Sequence, residues 1–333
     1  MTPHPEGTSP GKDGPTISIV MPLLNAMPYL DEALASLVGQ HFGALEVIAV
    51  DAGSTDGTLE RLKAEPIVRV IEAKDSSQTE ALNLGFAQAT GEIHGWLNGD
   101  DFLADGALSW VANWYQQRAD AKFLYGDAIA INESGRRFGL RSNVQGGQYE
   151  LLLHGDFIVQ PSAFWRAEVF ETLGPLDESL HYAFDYAFFL EVSRQWELHY
   201  EQIVLSFERL HAGAKTAQGG QARADELLTV MQTHGRQAVP MAFQPEVSAV
   251  HARLGLQHLL AGERDAAIAK LKQAAAEGRP LRFTLAHLVA ALVAGPRGTA
   301  EARLLSNWLR TTYRRRSTVW PKSTTMSDKG GLK

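Results

Sequence analysis

The chain predicts an α/β fold with a parallel-type sheet, followed by a helical extension. Through the first hundred residues, short β-rich runs alternate with helix-period segments, the pattern of strands joined by crossover helices. Acids stand where two of those strands end, at Asp51 and at Asp100–Asp101. In open sheets of this kind, ligands sit beyond the carboxyl ends of the strands. Beyond Pro240 the strand signal stops and small-residue helical segments take over.

The elements follow in order. ISIVMPLLN (17–25) is a β-rich run ended by Pro and Asn. Residues 29–40 place Leu30, Ala33, Leu34, Leu37 and Val38 on one helical face. LEVIAV (45–50) is a buried strand, and DAGSTDGTLERLK is a turn then a helix, with Ser54, Thr55 or Asp56 able to cap it. IVRVIEA (67–73) is a third strand, 79–90 a helix, and EIHGWLNGDD brings a fourth strand. Residues 107–118 form a helix for which Asp105 is the better N-cap. FLYGDAIAI reads as a strand, followed by a polar loop to about Gln148. IVQPSAFWRAEVF leads into a GPLDES turn, where Asp177 and Glu178 look like helix caps, and then an apolar helix around Asp185. A last strand ends at HAGAKT, and AGAKTAQGGQA reads as a mobile loop.

Four regions result: a flexible leader (1–15), an α/β domain (16–235), a helical hairpin (240–300) and a basic tail (301–333). The hairpin weakly resembles a tetratricopeptide unit, with Leu254, Gly255, Ala267, Leu271, Ala274 and Pro280 at fitting offsets. One such hairpin cannot bury its own face, so it is expected to pack on the α/β domain or on another chain. Net charge is -7, which gives no general case for nucleic acid. From Arg303 onward, eight Lys and Arg face only Asp328, leaving -14 on the remainder. The tail reads either as a solvated terminus or as a peripheral contact with an anionic membrane. The absence of cysteine excludes disulfides, Cys-ligated zinc and a thiol nucleophile. The leader is not a signal peptide, and the apolar run 283–294 is short of the roughly 20 residues a span needs. A cytoplasmic protein, peripheral at most to the inner face of the membrane, is expected.

Six blocks carry a family resemblance: SIVMPLLNAMPYLDEALASLVGQ, EVIAVDAGSTDGT, QTEALNLGFAQATGEIHGWLNGDD, IVQPSAFWRAEVF, ESLHYAFDYAFFLEV and RLHAGAKT. Their order and content resemble the family-2 glycosyltransferases of the GT-A fold, a Rossmann-like nucleotide-diphospho-sugar transferase domain. The resemblance implies sugar transfer from a nucleotide-sugar, UDP favoured, to an acceptor hydroxyl with inversion. It makes Asp51 the acid that meets the nucleotide base, with Pro22 and Asn25 in the loop beneath. It places Asp100 near the ribose and diphosphate and Asp101 on the metal. Asp185 becomes the catalytic base, and His211 and Lys215 belong to a loop over the diphosphate, where His211 can also reach the metal. The motif here reads Asn98-Gly99-Asp100-Asp101, with Asn in place of the first acid.

These residue types suit that chemistry. A hydroxyl needs a carboxylate to take its proton. A nucleoside diphosphate leaves well only when its growing charge is neutralised, as Mg²⁺ or Mn²⁺ on hard ligands does. A His ligand tilts the choice toward Mn²⁺. Asp185 lies in an apolar setting that raises a carboxylate's pKa, which suits a base. His154, Trp165, Tyr182 and Phe184 can line an acceptor site or be core. The acceptor is a glycan, a lipid-linked glycan or a protein, and cell-envelope or exported polysaccharide synthesis is the expected setting. Two other readings compete: a non-catalytic scaffold with a degenerate transferase fold, and a nucleotidyltransferase. The latter class usually has a Gly-rich basic loop after its first strand, which MPLLNAMPYL lacks.

Overall fold

The computed structural model describes residues 14–141, 145–238 and 264–276. The chain divides into two compact units, Met1–Phe243 and Gln244–Lys333. In the first unit, strands β1 (Ile17–Leu23), β2 (Leu45–Asp51), β3 (Val68–Glu72) and β4 (Ile93–Trp96) lie parallel in the order β3-β2-β1-β4. β1 is buried along its whole length, as a near-continuous apolar strand covered on both faces should be. Crossovers run through α1 (Met27–Val38), α2 (Thr58–Lys63) and α3 (Gln78–Phe86). α1 buries Leu30, Ala33, Leu34 and Leu37, while Val38 at its end stays exposed. α3 opens on a capping box: Ser77 Oγ accepts from the Glu80 amide, and the Glu80 carboxylate accepts from the Ser77 amide.

The rest of the sheet departs from the parallel expectation. It is mixed, continuing β4-β8-β6-β9-β5 through β5 (Phe102–Leu103), β6 (Phe123–Ile131), β8 (Ala163–Arg166) and β9 (Leu198–Arg209). β8 is antiparallel to β4 and β6, β5 is antiparallel to β9, and only β6–β9 is parallel. The reversal comes from a hairpin that the polar-loop reading missed. After β6, Asn132 Oδ1 accepts from the Ser134 and Arg136 amides, and Gly135 takes φ +76°. The chain returns as β7 (Arg137–Arg141), a fully exposed strand without the alternation that marks strands in sequence. β8 then continues the returned direction along β6.

The helices of this half are α4 (Ala107–Gln116), α5 (Gln148–His154), α6 (Ala167–Leu173), α7 (Phe184–Gln195), α8 (Lys215–Gln218) and α9 (Gly220–Ala238). The expected small-residue loop is largely helical, because its Gly pair sits at the α8–α9 junction. Capping also differs. Left-handed Gly57 and Gly106 precede α2 and α4, so neither Asp56 nor Asp105 is the N-cap. Asp56 instead ties loops together, accepting from the amides of Thr58 and Met27. Asp177 folds its own turn by accepting from Ser179, and Glu178 accepts from Asn83.

In the second unit, α10 (Arg264–Ala276) buries Ala267 and Leu271. The remainder of the expected hairpin, the apolar run 283–294, the basic tail, nearly all of the leader and the His154 side chain lie outside what is described. Among the described residues, no helix is long and apolar enough to cross a membrane.

Candidate functional site

The carboxyl ends of β1 and β2 are stitched together by polar side chains. Asn25, at φ +52°, donates its amide to Ser54 Oγ (2.8 Å) and accepts from the Thr55 amide (2.9 Å). Pro22 pairs with Val50 in the β1–β2 register. Asp51 is 1% exposed, and its Oδ1 accepts from the amides of Gly53 and Ser54 (3.0 and 2.9 Å). Its Oδ2 is buried and has no hydrogen-bond partner among the described residues. A buried carboxylate oxygen left without a donor is costly, so this oxygen is suited to a ligand N–H or O–H.

After β4 the chain turns at Gly99, where a Cβ would come within 2.6 Å of Leu23 and 2.8 Å of Ala26. That turn faces the following acids in different directions. Asp101 is 4% exposed, accepting from the Arg209 amide at 2.8 Å and from Asn98 Nδ2 at 3.4 Å. Burial pushes its carboxyl well above the usual range, and the charge of Asp100 adds to this. Asp100 is more open, and its Oδ2 lies 3.0 Å from His211 Nε2. Both Asp101 oxygens are engaged inside the protein, and Asp100 is the acid that meets His211. Among the described residues no three ligating side chains cluster. The pair supplies one oxygen and one nitrogen, a fit for a cation completed by phosphate and water, as Mg²⁺ and Mn²⁺ sites in transferases often are.

Arg209, which sequence reasoning missed, organises this corner. It is 3% exposed, with Nε donating to the Asp100 carbonyl and Nη1 to the carbonyls of Asn132 and Glu133. Its guanidinium also pairs with Glu32 and stacks over Tyr29 at 4.5 Å. Its one visible signal was its place at the head of the RLHAGAKT block.

A chain of amides connects this corner to Lys215. Lys215 Nζ donates to Gln78 Oε1 (3.1 Å), and Gln78 Nε2 to Asn98 Oδ1 (3.0 Å). Asn98 Nδ2 donates to Gln160 Oε1 (3.1 Å), and Gln160 Nε2 to the Trp96 carbonyl (2.8 Å). Lys215 also lies over the rings of Phe184 (5.2 Å) and Tyr182 (5.9 Å), and burial lowers its pKa. Phe184 therefore faces the site, whereas Trp165 is fully buried in the aromatic core and is no acceptor contact.

Asp185 sits in the first turn of α7, its Oδ1 accepting from the Tyr186 amide at 2.7 Å. Burial raises its pKa against that bond and against the nearby charge of Arg223. The loop before α7 is held by α9: Glu226 accepts from the amides of His181, Tyr182 and Ala183. Asp156, Arg223 and Glu226 were absent from the sequence reading, since nothing in sequence links them to Asp185.

Known proteins are similar to this chain in sequence and fold. Residues 18–174 match the model of glycosyl transferase family 2. The chain carries a family-2 glycosyltransferase domain. A Rickettsia prowazekii uncharacterized glycosyltransferase is 25% identical over 215 residues, 61% of this chain and 66% of that protein. A Mycobacterium bovis PGL/p-HBAD biosynthesis glycosyltransferase is 32% identical over 169 residues, 48% of this chain and 63% of that one. The alignments thus span slightly under two thirds of these relatives. Among solved structures, S. aureus TarS 1–349 in complex with UDP-GlcNAc superposes with TM-score 0.61 at 16% identity, over 83% of this chain and 89% of that one. The mannosyltransferase PcManGT from Pyrobaculum calidifontis, in complex with GDP-Man and Mn²⁺, gives 0.54 at 19% identity, over 92% and 89%. The glycosyltransferase domain therefore has the GT-A fold.

Proposed function

We propose that this family-2 glycosyltransferase domain moves a sugar from a nucleoside-diphosphate sugar to an acceptor hydroxyl, with inversion at the anomeric carbon. The observation that carries the reading is the line of unsatisfied or converging polar groups at the carboxyl edge of the sheet: Asp51 Oδ2, the Asp100–His211 pair, and Asp185 beside Lys215. The buried oxygen of Asp51 accepts a hydrogen bond from the nucleotide base, and Asn25 and Pro22 shape the loop beneath it. Asp100 and His211 hold a divalent cation, Mn²⁺ or Mg²⁺, which when bound neutralises charge on the departing diphosphate. Lys215 adds a cation on the same side.

Asp185 takes the acceptor's hydroxyl proton as the new C–O bond forms. The bond to the diphosphate breaks on the opposite face of the sugar, and its electron pair leaves with the nucleotide. The raised pKa of Asp185 makes it a stronger base than an exposed carboxylate. UDP is the favoured nucleotide, in line with the UDP-GlcNAc bound by TarS; the GDP-Man bound by PcManGT makes GDP the main competitor. A glycan or lipid-linked acceptor in cell-envelope synthesis is the favoured setting, given the mycobacterial relative's name.

Thermal unfolding with UDP, GDP, dTDP or CDP, each with Mn²⁺ or EDTA, tests this. A ligand that binds only the native state raises its apparent stability. Stabilisation by one nucleotide, lost in EDTA, is expected. No stabilisation by any of them would favour a degenerate transferase fold without donor binding.

A further inference from the structure

The helix that carries Asp185 is held at its start by a second helix. Three consecutive amides lead into its first turn, those of His181, Tyr182 and Ala183, and all three reach one carboxylate. Glu226 of α9 accepts from His181 on Oε2 at 3.0 Å, and from Tyr182 and Ala183 on Oε1 at 2.5 and 2.6 Å. Ala183 is the N-cap of α7, and its methyl group can accept nothing, so α7 has no side-chain cap of its own. A carboxylate has acceptor sites enough for three such bonds, and its charge suits the N-terminal end of a helix. Asp185 follows Ala183 by two residues.

Two further contacts come from the same stretch of chain. A Cβ on Gly219, between α8 and α9, would lie 3.0 Å from Tyr182 Cε1, so the glycine lets the junction meet that ring. Lys215 Nζ lies over the rings of Tyr182 and Phe184. Residues 215, 219 and 226 recur at spacings of four and seven, which belong to one helical face. From α3, Thr79 Oγ1 donates to the Leu180 carbonyl at 3.3 Å. The segment 180–184 is thus gripped by α3 and by one face of α8 and α9, with Glu226 making the shortest bonds to it.

We infer that Glu226 is a positioning residue for sugar transfer: by gathering the three amides before α7, it fixes where the Asp185 carboxylate stands. The inference rests on reading Asp185 as the base. A reacting group displaced by about 1 Å can lose roughly 100-fold in rate. A tether two residues from the base therefore governs turnover more than donor binding, whose groups lie on other segments.

Amide hydrogen exchange of the full chain, followed by NMR without ligand, is the direct test. Glu226→Ala should speed exchange at His181, Tyr182 and Ala183 by about tenfold or more, with β1 and β2 still protected. Glu226→Gln keeps one acceptor oxygen; with that oxygen on Tyr182 and Ala183, His181 alone should open. This second variant carries the test if Glu226→Ala does not fold. Unchanged exchange at all three amides overturns the inference. Hydrolysis of UDP-GlcNAc or GDP-mannose with Mn²⁺ gives the kinetic test. Glu226→Ala should lower kcat by about tenfold or more and leave KM for the nucleotide sugar within about twofold, and Glu226→Gln should recover most of the loss. A rise in KM with kcat unchanged would overturn the positioning role. In an Asp185→Asn background, Glu226→Ala should cost almost nothing further, because residues that act as one unit are not additive. A full additional loss there would mean that Glu226 does not act through Asp185. Wild-type hydrolysis by Asp185→Asn alone would instead show that the base reading has failed, while exchange still reports separately whether Glu226 holds the loop.

Discussion

Two pairs of acids in this domain meet the repulsion of like charges in different surroundings. Asp100 and Asp101 are neighbours in sequence, but the turn at Gly99 sends them apart. Asp101 goes inward to the Arg209 amide and Asn98, while Asp100 goes outward to His211. Asp156 and Asp185 are separated by all of β8 and α6, yet the charge of Asp185 acts on Asp156. The first pair is held by separate partners, one backbone amide and two side chains; in the second, Asp185 accepts from the Tyr186 amide while Asp156 Oδ1 has no donor among the described residues.

The largest effect that could break this comparison is at the base. Asp185→Asn should lower sugar transfer by about 100- to 10,000-fold with nucleotide-dependent stabilisation unchanged, as measured by release of nucleoside diphosphate. Wild-type transfer would mean that the second pair is structural.

A control for acid lability lies away from both pairs, at His94. This imidazole is buried and stacked on Phe86 at 5.5 Å, and burial pushes its pKa down to about 4. The unfolded chain therefore binds a proton between pH 6.5 and 4 that the folded chain does not. Stability should fall by roughly 3 kcal/mol as pH drops through that window, and no further from this group below it. Denaturant unfolding of His94→Leu should show a flatter pH dependence over the same range. If the slope is unchanged, the loss belongs to other groups.

Within the first pair, the two acids should separate by assay. Asp101→Ala strands the Arg209 amide and should cost about 1–3 kcal/mol in denaturant unfolding. Asp100→Ala should leave stability nearly unchanged while removing the Mn²⁺-dependent part of nucleotide binding. Equal effects of both variants on both assays would erase the distinction drawn between them. The smallest effect expected is at Ser77, whose capping box fixes the start of α3 and with it Gln78. Ser77→Ala should cost about 1 kcal/mol, read as a lower midpoint of thermal unfolding.

Much of the fold was legible because local patterns coincide with it. The buried strands β1 and β2 show as unbroken apolar runs, and α1 as a spaced face. β7 was not legible, since an exposed strand of Arg, Phe, Gly and Leu has no alternation to read. α9 was hidden because its first turn contains Gly, Gln and Ala, a composition that also makes loops. In the site, Asp51, Asp100, His211 and Lys215 could be named because they sit in contiguous motifs. Asp156, Arg209 and Arg223 could not, because their meaning comes from partners far along the chain, up to 177 positions away for Arg209 and Glu32. The partners of Asp101 were hidden for a related reason: the Arg209 amide that its carboxylate accepts from lies 108 positions along the chain.

The asparagine at position 98 has a consequence for how such chains vary. Every bond from Lys215 through Gln78, Asn98 and Gln160 to the Trp96 carbonyl runs donor to acceptor in one direction. An ionised acid at 98 can accept from Gln78 but has nothing to give Gln160. Residues 78, 98 and 160 therefore act as one unit rather than as three independent positions. A relative with Asp at 98 is expected to have changed its partner at 160 as well, and searches that score the acid motif alone will misjudge chains spelled this way.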